Sequence, residues 1–208
     1  MTTFLGTVAD NATNGPPLIE YRSDGSFEAH ERLHVFESAR TCAHNLSSSG
    51  VRPGDIVCLM LPTTINLIIT WLGVLCARAI PTILPPPNHR QEKSLWVDNV
   101  RHVTRYTGAS AVVVNQAVLR EAGTLFSSLS VRLLDDIELL HGDQKAEVPE
   151  SSNKGPILLQ HSSGTTGLQK GVALTDDHLV RQVQLYAGAI GLQPGIDRVV
   201  SWLPYYHD

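Results

Sequence analysis

The chain has 208 residues, 42% of them hydrophobic and 17% charged, with a formal net charge of −4 at pH 7. That length holds one large domain or one with a small appendage, and the composition is that of a globular protein rather than a disordered or fibrous one. A net negative charge without any run of lysines or arginines argues against nucleic acid as the main partner, because phosphate backbones are gripped by positive surfaces.

The amino terminus, Met1-Thr-Thr-Phe-Leu-Gly-Thr7, lacks the basic region and long apolar core of a secretory signal. The sequons Asn11-Ala-Thr13 and Asn45-Leu-Ser47 therefore predict no glycosylation. After a polar lead over 1–17, Leu18–Arg22 and Ser26–Ala29 flank Asp24-Gly25 and predict a hairpin. A helix is expected over 30–49, with Leu33, Phe36, Ala39, Ala43 and Leu46 on one stripe and Gly50 as its stop. At its start, His30-Glu31-Arg32-Leu33-His34 matches the His-Glu-x-x-His zinc pattern. On a helix both histidines would face solvent, opposite the buried stripe. Glu37 and Arg40 also stand where the extended motif needs glycine and histidine, so the match reads as chance.

Ile56–Ala77 carries no charge and is long enough to cross a bilayer. Pro62, Thr63, Thr64 and Asn66 interrupt it, and the better parse is a strand over 56–61, a turn, and a buried helix over 64–78. Ile65, Ile68, Leu72, Leu75 and Ala79 supply the helical spacing, and no membrane span is expected. Cys42, Cys58 and Cys76 are an odd set with no Cys-x-x-Cys pair, giving neither a disulfide framework nor a zinc site. Buried, reduced thiols in a cytoplasmic protein are the expectation.

Next come a short strand at Ile80–Leu84 closed by Pro85-Pro86-Pro87, a helix over 91–107 and a β-branched strand at Ala111–Asn115. A short helix over 116–122 and a strand at Val131–Leu134 follow, and polar His141–Lys154 reads as a linker. Thr175 can cap a helix with Leu179, Val183, Tyr186 and Ile190 on one face and Gly191 as its stop. Asp197–Leu203 reads as a final strand. Strands alternating with helices predict an α/β fold, a layered and mainly parallel sheet with flanking helices. The expected organisation is a lead (1–17), an α/β subdomain (18–140), a linker (141–155), and a phosphate-loop hairpin with a helix and the first strand of a next subdomain (156–208).

The most telling stretch is Gln160-His-Ser-Ser-Gly-Thr-Thr-Gly-Leu-Gln-Lys-Gly171, set between apolar runs at Ile157–Leu159 and Val172–Leu174. Glycines let backbone N–H groups converge on one point and form an anion-binding nest. The hydroxyls of Ser162, Ser163, Thr165 and Thr166 add neutral donors, and Lys170 adds a positive charge. Such a loop suits a polyphosphate, whereas a plain turn has no need of the lysine. It is not a Walker A loop, because Gln169 precedes the lysine, Gly171 follows it, and the next element reads as a strand rather than a helix. His161 could aid phosphate binding or simply fill a strand end, and the second is the expectation. His207-Asp208 alone is weak evidence for a divalent-metal hydrolase.

Ser162–Val172 resembles the phosphate loop of the adenylate-forming superfamily, which includes acyl-CoA synthetases, luciferases and the adenylation domains of peptide synthetases. Gln169 stands where the usual form has proline. Val200-Ser-Trp-Leu-Pro-Tyr-Tyr-His-Asp208 resembles the next core motif of that superfamily, in wording closest to the fatty acyl-AMP ligase branch, and Gly50–Val57 fits more loosely. The resemblance implies the N-terminal part of such an enzyme's large domain. It implies that Ser162, Ser163, Gly164, Thr165, Thr166, Gly167 and Lys170 hold the β- and γ-phosphates of ATP, with Mg²⁺ shared by the nucleotide. It also implies that His207, beside Tyr206, positions the carboxylate of a fatty or other carboxylic acid as it attacks the α-phosphorus and expels pyrophosphate. The acyl group would then pass to an acyl carrier protein or to CoA. The family's later motifs are not among these residues, so this stretch alone is expected to be inactive and its strand at Arg198–Leu203 poorly covered. Two other readings stay open: a non-catalytic nucleotide-binding or interaction module of the same fold, and a small ATPase of another fold, which the loop spacing disfavours.

Overall fold

The computed structural model describes residues 3–87, 92–126, 129, 131–149, 155–161 and 171–206. In chain order the elements are α1 (Phe4–Asp10), β1 (Leu18–Tyr21), β2 (Phe27–His30), α2 (Arg32–Ser48), β3 (Ile56–Met60), α3 (Ile65–Cys76), β4 (Ile80–Ile83) and α4 (Lys93–Thr107). They continue with β5 (Ala111–Val114), α5 (Gln116–Phe126), β6 (Arg132–Asp135), α6 (Asp136–Leu140), β7 (Pro156–His161), β8 (Gly171–Thr175) and α7 (Asp176–Ala189). Apart from the β1–β2 hairpin, the strands form one sheet in the order β6-β5-β3-β4-β7-β8. Every pairing in it is parallel except β7 with β8.

Alternation along the central strands builds a core on each side of this sheet. Val57, Leu59, Ala111 and Val113 point to one face, where Phe36, Ala39, Ala43 and Leu46 of α2 and Leu72 of α3 cover them. Cys58, Met60, Val112 and Val114 point to the other face, beneath Trp96, Val100 and Val103 of α4 and Val118 and Phe126 of α5. The Trp96 ring meets Phe126 edge-on with centroids 6.1 Å apart, and its indole N–H donates to the Pro85 carbonyl at 3.0 Å. The layered α/β architecture is the one expected. Cys42, Cys58 and Cys76 are free and buried. Among the described residues no helix is long and apolar enough to cross a membrane.

Local structure departs from the sequence reading at several points. The polar lead contains a helix, α1, which Thr3 caps by accepting from the Gly6 N–H at 2.9 Å. Its Phe4 packs edge-on against Trp71 at 5.7 Å, and the Phe4 N–H donates to Asp176 Oδ1 at 2.9 Å. The helix expected from residue 30 begins at Arg32, because His30 pairs with Leu18 as the end of β2. The two histidines of the zinc-like pattern therefore share no helical face. His30 is largely covered, with Nε2 3.5 Å from Glu20 Oε2, while His34 is exposed. Leu33 is exposed as well, so the buried stripe of α2 starts at Val35 and Phe36. The short helix after β5 runs on to Phe126, and α6, absent from the sequence reading, follows β6 directly.

The largest difference is near the carboxyl end. Asp197–Leu203 forms no strand in the described structure, because a strand needs a ladder partner and none of the described strands flanks it. As expected of that segment, it is poorly covered: Val199 is 76% exposed and Trp202 88%. The apolar face of α7 is likewise open, since none of its residues is buried.

Candidate active site

Because β3, β4, β5, β6 and β7 run the same way, their carboxyl ends share one edge of the sheet. The chain leaving β4 crosses back over β3 to β5, while the chain leaving β7 turns outward to β8. Adjacent strands whose connections diverge leave a crevice at their carboxyl ends, the usual ligand position in open α/β sheets.

The β7–β8 ladder closes on the pair His161 and Gly171. Both stems of the hydroxyl-rich loop are thereby held side by side, and the strand after the loop is the one the sequence suggested. Ser162, Ser163, Gly164, Thr165, Thr166, Gly167 and Lys170 themselves lie outside the described residues, as does His207. The described positions just before His207, Tyr205 and Tyr206, line a cavity of about 360 Å³ together with His161. Its other walls are Leu67, Ile68 and Trp71 of α3, Ile83 of β4, and Leu158, Leu159 and Gln160 of β7. The structure thus gathers the stem of the loop and the approach to His207 around one mostly apolar space. A volume near 360 Å³ is at the small end of ligand sites, which span about 300–1,000 Å³.

His161 is the unusual member. It is only 7% exposed, and neither ring nitrogen has a hydrogen-bond partner among the described residues. Burial pushes its pKa below the ordinary imidazole value, because a charged ring loses more solvation than a neutral one. The ring packs over Gly171, where a Cβ would touch Cε1 at 3.4 Å. His161 ends β7 and is buried, in keeping with the strand-end reading, and it also lines the cavity. The available signal was a polar residue ending an apolar strand directly before the loop. Of the α3 wall, the helical stripe marked Ile68 but not Leu67 or Trp71, since it followed one face of a helix that is apolar nearly all round.

A second polar group lies at the end of β6 and outside the cavity. Asp135 caps α6, accepting from the N–H groups of Ile137 and Glu138 at 3.0 and 3.2 Å, and takes a hydrogen bond from Gln116 Nε2 at 2.5 Å. Buried Asp136 accepts from Asn66 Nδ2 at 3.0 Å, and burial pushes its carboxyl above the usual range. This pair joins α6 to α3 and α5. Among the described residues, no cluster of three or more His, Cys, Asp or Glu could hold a metal ion.

The AMP-binding enzyme family model matches residues 33–208. The chain belongs to that family. Among curated relatives, it is 28% identical over 218 residues to an oxalate–CoA ligase of Arabidopsis thaliana, covering 99% of this chain and 41% of the relative. It is 28% identical over 200 residues to the long-chain-fatty-acid–AMP ligase FadD26 of Mycobacterium tuberculosis, covering 91% of this chain and 33% of the relative. Among solved structures, a fatty acyl-adenylate ligase from work on the E. coli and L. pneumophila enzymes superposes with a TM-score of 0.88 at 21% identity, covering all of this chain and 38% of that one. The adenylation domain of a keto acid-selecting NRPS module gives 0.87 at 15% identity, again over the whole chain and 38% of the other. The fold is therefore that of the adenylate-forming enzymes' N-terminal region, and the chain spans a third to two-fifths of the relatives' length.

Proposed function

We propose that this chain is the phosphate-loop portion of an ATP-dependent, AMP-forming acid–thiol ligase that activates a fatty or other carboxylic acid. The observation that carries the reading is the β7–β8 hairpin, which holds the ends of a glycine- and hydroxyl-rich loop at the carboxyl edge of a parallel sheet. That edge also opens on an apolar cavity. The donor set fits a triphosphate: four hydroxyls, glycine N–H groups and one ammonium, with no carboxylate within the loop.

In this reading Ser162, Ser163, Gly164, Thr165, Thr166, Gly167 and Lys170 hold the β- and γ-phosphates of ATP, with Mg²⁺ carried by the nucleotide. His207 orients the acid. The carboxylate oxygen bonds to the α-phosphorus as the bond to pyrophosphate breaks, giving an acyl-adenylate. Positioning and charge neutralisation do most of that work. The acyl group then goes to a carrier protein or CoA thiol, in keeping with relatives of both the AMP-ligase and CoA-ligase kinds. The residues here supply only part of the machinery and do not adenylate alone. The setting is cytoplasmic, without nucleic acid as partner, in line with three buried free thiols and a charge of −4.

The test is acid-dependent ATP–pyrophosphate exchange by the product of the complete open reading frame. Lys170→Ala should lower kcat/KM by about a hundredfold, the usual effect of removing one group that neutralises developing charge, without changing the melting temperature. Unchanged kinetics would remove the role assigned to Lys170, and acid-independent exchange would remove the function.

A further inference from the structure

A second cavity, of about 410 Å³, lies between α1, α2 and α7. It shares no lining residue with the one beside the loop stem. Phe4, Val8, Val35, Phe36, Leu72 and Val183 give it an apolar wall, and among the described residues Arg32 is its one charged member. That charge is held in place. Arg32 Nε donates to the Pro16 carbonyl at 2.8 Å, and Nη1 lies against Gly15, 3.0 Å from where a Cβ would stand. A side chain at 15 would displace the guanidinium, and the φ of +138° there is one that side chains rarely adopt.

A guanidinium carries five N–H donors, and the Nε one alone is used among the described residues. Neither Nη atom is sealed from solvent. None of the ion pairs among the described residues includes Arg32, whereas Arg22, Arg40, Arg101 and Arg181 each hold a carboxylate. Arg32 also opens α2, so the positive end of that 17-residue helix falls at the same place, where Glu31 makes no side-chain cap. A fixed, unpaired cation thus stands at an otherwise uncharged, mostly apolar space.

We propose that this cavity binds an amphiphilic carboxylate, its head group on the Nη donors of Arg32 and its hydrocarbon tail along the walls of α1, α2 and α7. The planar fork of a guanidinium matches two carboxylate oxygens. Burial of the tail supplies affinity, and the paired head group selects an anion over a neutral amphiphile. The site is separate from the one proposed to activate an acid, and the inference stands whether or not that reading holds.

The test uses the product of the complete open reading frame, with ¹³C-labelled valine methyls and decanoate as probe. Val8, Val35, Val180 and Val183 line this cavity and no described valine lines the other, so the valine signals report this one. Decanoate should move those resonances in a saturable way. Decanol, with the same tail and no charge, should bind about tenfold more weakly or worse, the scale of a hydrogen bond to a charged group. Arg32→Gln should abolish that preference, weakening decanoate about tenfold and leaving decanol as it was. Valine resonances that stay still overturn the proposal, as they would if the remaining residues of the complete protein or a second copy fill the space. Decanol binding as tightly as decanoate overturns it too, and that comparison needs no variant to fold. Arg32→Gln that keeps the preference for decanoate does the same.

Discussion

The contact that sets the position of α3, and with it one wall of the cavity, is the approach of Gly73 to α2. A Cβ built on Gly73 would lie 2.7 Å from both Cβ and Sγ of Cys42 and 3.0 Å from the Ala39 carbonyl oxygen. Carbon atoms settle at about 3.5–4.0 Å, so Gly73→Ala asks the two helices to part by roughly 1 Å. They have little room to do so, because Ala39, Cys42 and Ala43 are all 0% exposed. Overpacking of this kind costs about 1–3 kcal/mol, offset by up to about 1 kcal/mol of better helix propensity. The expected net loss is therefore about 1–2 kcal/mol.

A compensating change makes the reasoning specific. Cys42→Gly removes both offending atoms, at a cost of about 0.3 kcal/mol in propensity and more for the void it leaves. With Gly73→Ala beside it, the new methyl fills that void. The double variant should then be more stable than the sum of the singles by about 1–2 kcal/mol, well above the usual additivity error. Urea unfolding followed by tryptophan fluorescence, with a common slope for all four proteins, measures this. A neutral Gly73→Ala, or strict additivity, would refute the steric account. Because Leu67, Ile68 and Trp71 lie on the same helix, the single variant should also disturb acid binding before it disturbs ATP binding.

Asp136 binds its proton more tightly folded than unfolded, since burial raises its pKa. Its contribution is full below the ordinary carboxylate value and lost as pH rises through the raised one, so Asp136→Asn should flatten that decline and be the more stable protein at neutral pH; an unchanged stability–pH profile counts against it. Burial pushes the thiols of Cys58 and Cys76 up to about 12 and raises Cys42 as well. All three should resist a thiol reagent in the native chain and react in urea, and one fast native thiol would contradict the packing. Thr175 and His178 form a reciprocal cap on α7, so Thr175→Ala should cost that helix about 1 kcal/mol. With no buried residue to couple α7 to the core, the loss should appear as about fivefold faster amide exchange within it, and a large drop in global melting temperature would refute this. Val183, Leu185, Tyr186, Val199, Val200 and Trp202 are each more than half exposed, more apolar surface than monomers usually show. The chain should self-associate as concentration rises, and a sharp monomer throughout a sedimentation series would refute that.

What could be read from residues alone followed from local rules. The two-faced alternation of Val57, Cys58, Leu59 and Met60 and the β-branched run Ala111–Val114 carry the parallel sheet in their own pattern. Thr175 announces α7 because its cap is made within three residues. Features that depend on distant partners were not legible. Phe4–Asp10 is helical where it packs on Trp71 and is tied to Asp176, 172 positions away in the chain for that last bond. His30 joins a strand because Leu18 pairs with it, against a helical pattern that would have included it. Asp197–Leu203 has strand-like residues and no neighbour to pair with among the described strands, and pattern alone cannot supply a neighbour.

The same distinction separates the site from the scaffold. At the amino ends of the strands, backbone groups of neighbouring connections satisfy one another: Ser110 N–H donates to Ile56 O, Ile80 N–H to Asp55 O and Gly54 N–H to Arg78 O. At the carboxyl ends, among the described residues, side chains do more of this work. Asp135 reaches Gln116 and Asp136 reaches Asn66, while His161 reaches no described partner at all. A domain selected for stability alone would place an apolar side chain at 161, since Phe or Leu there removes two unsatisfied atoms. Local consistency is broken there. The break falls at the end of β7, one residue before the loop that sequence reasoning had already singled out.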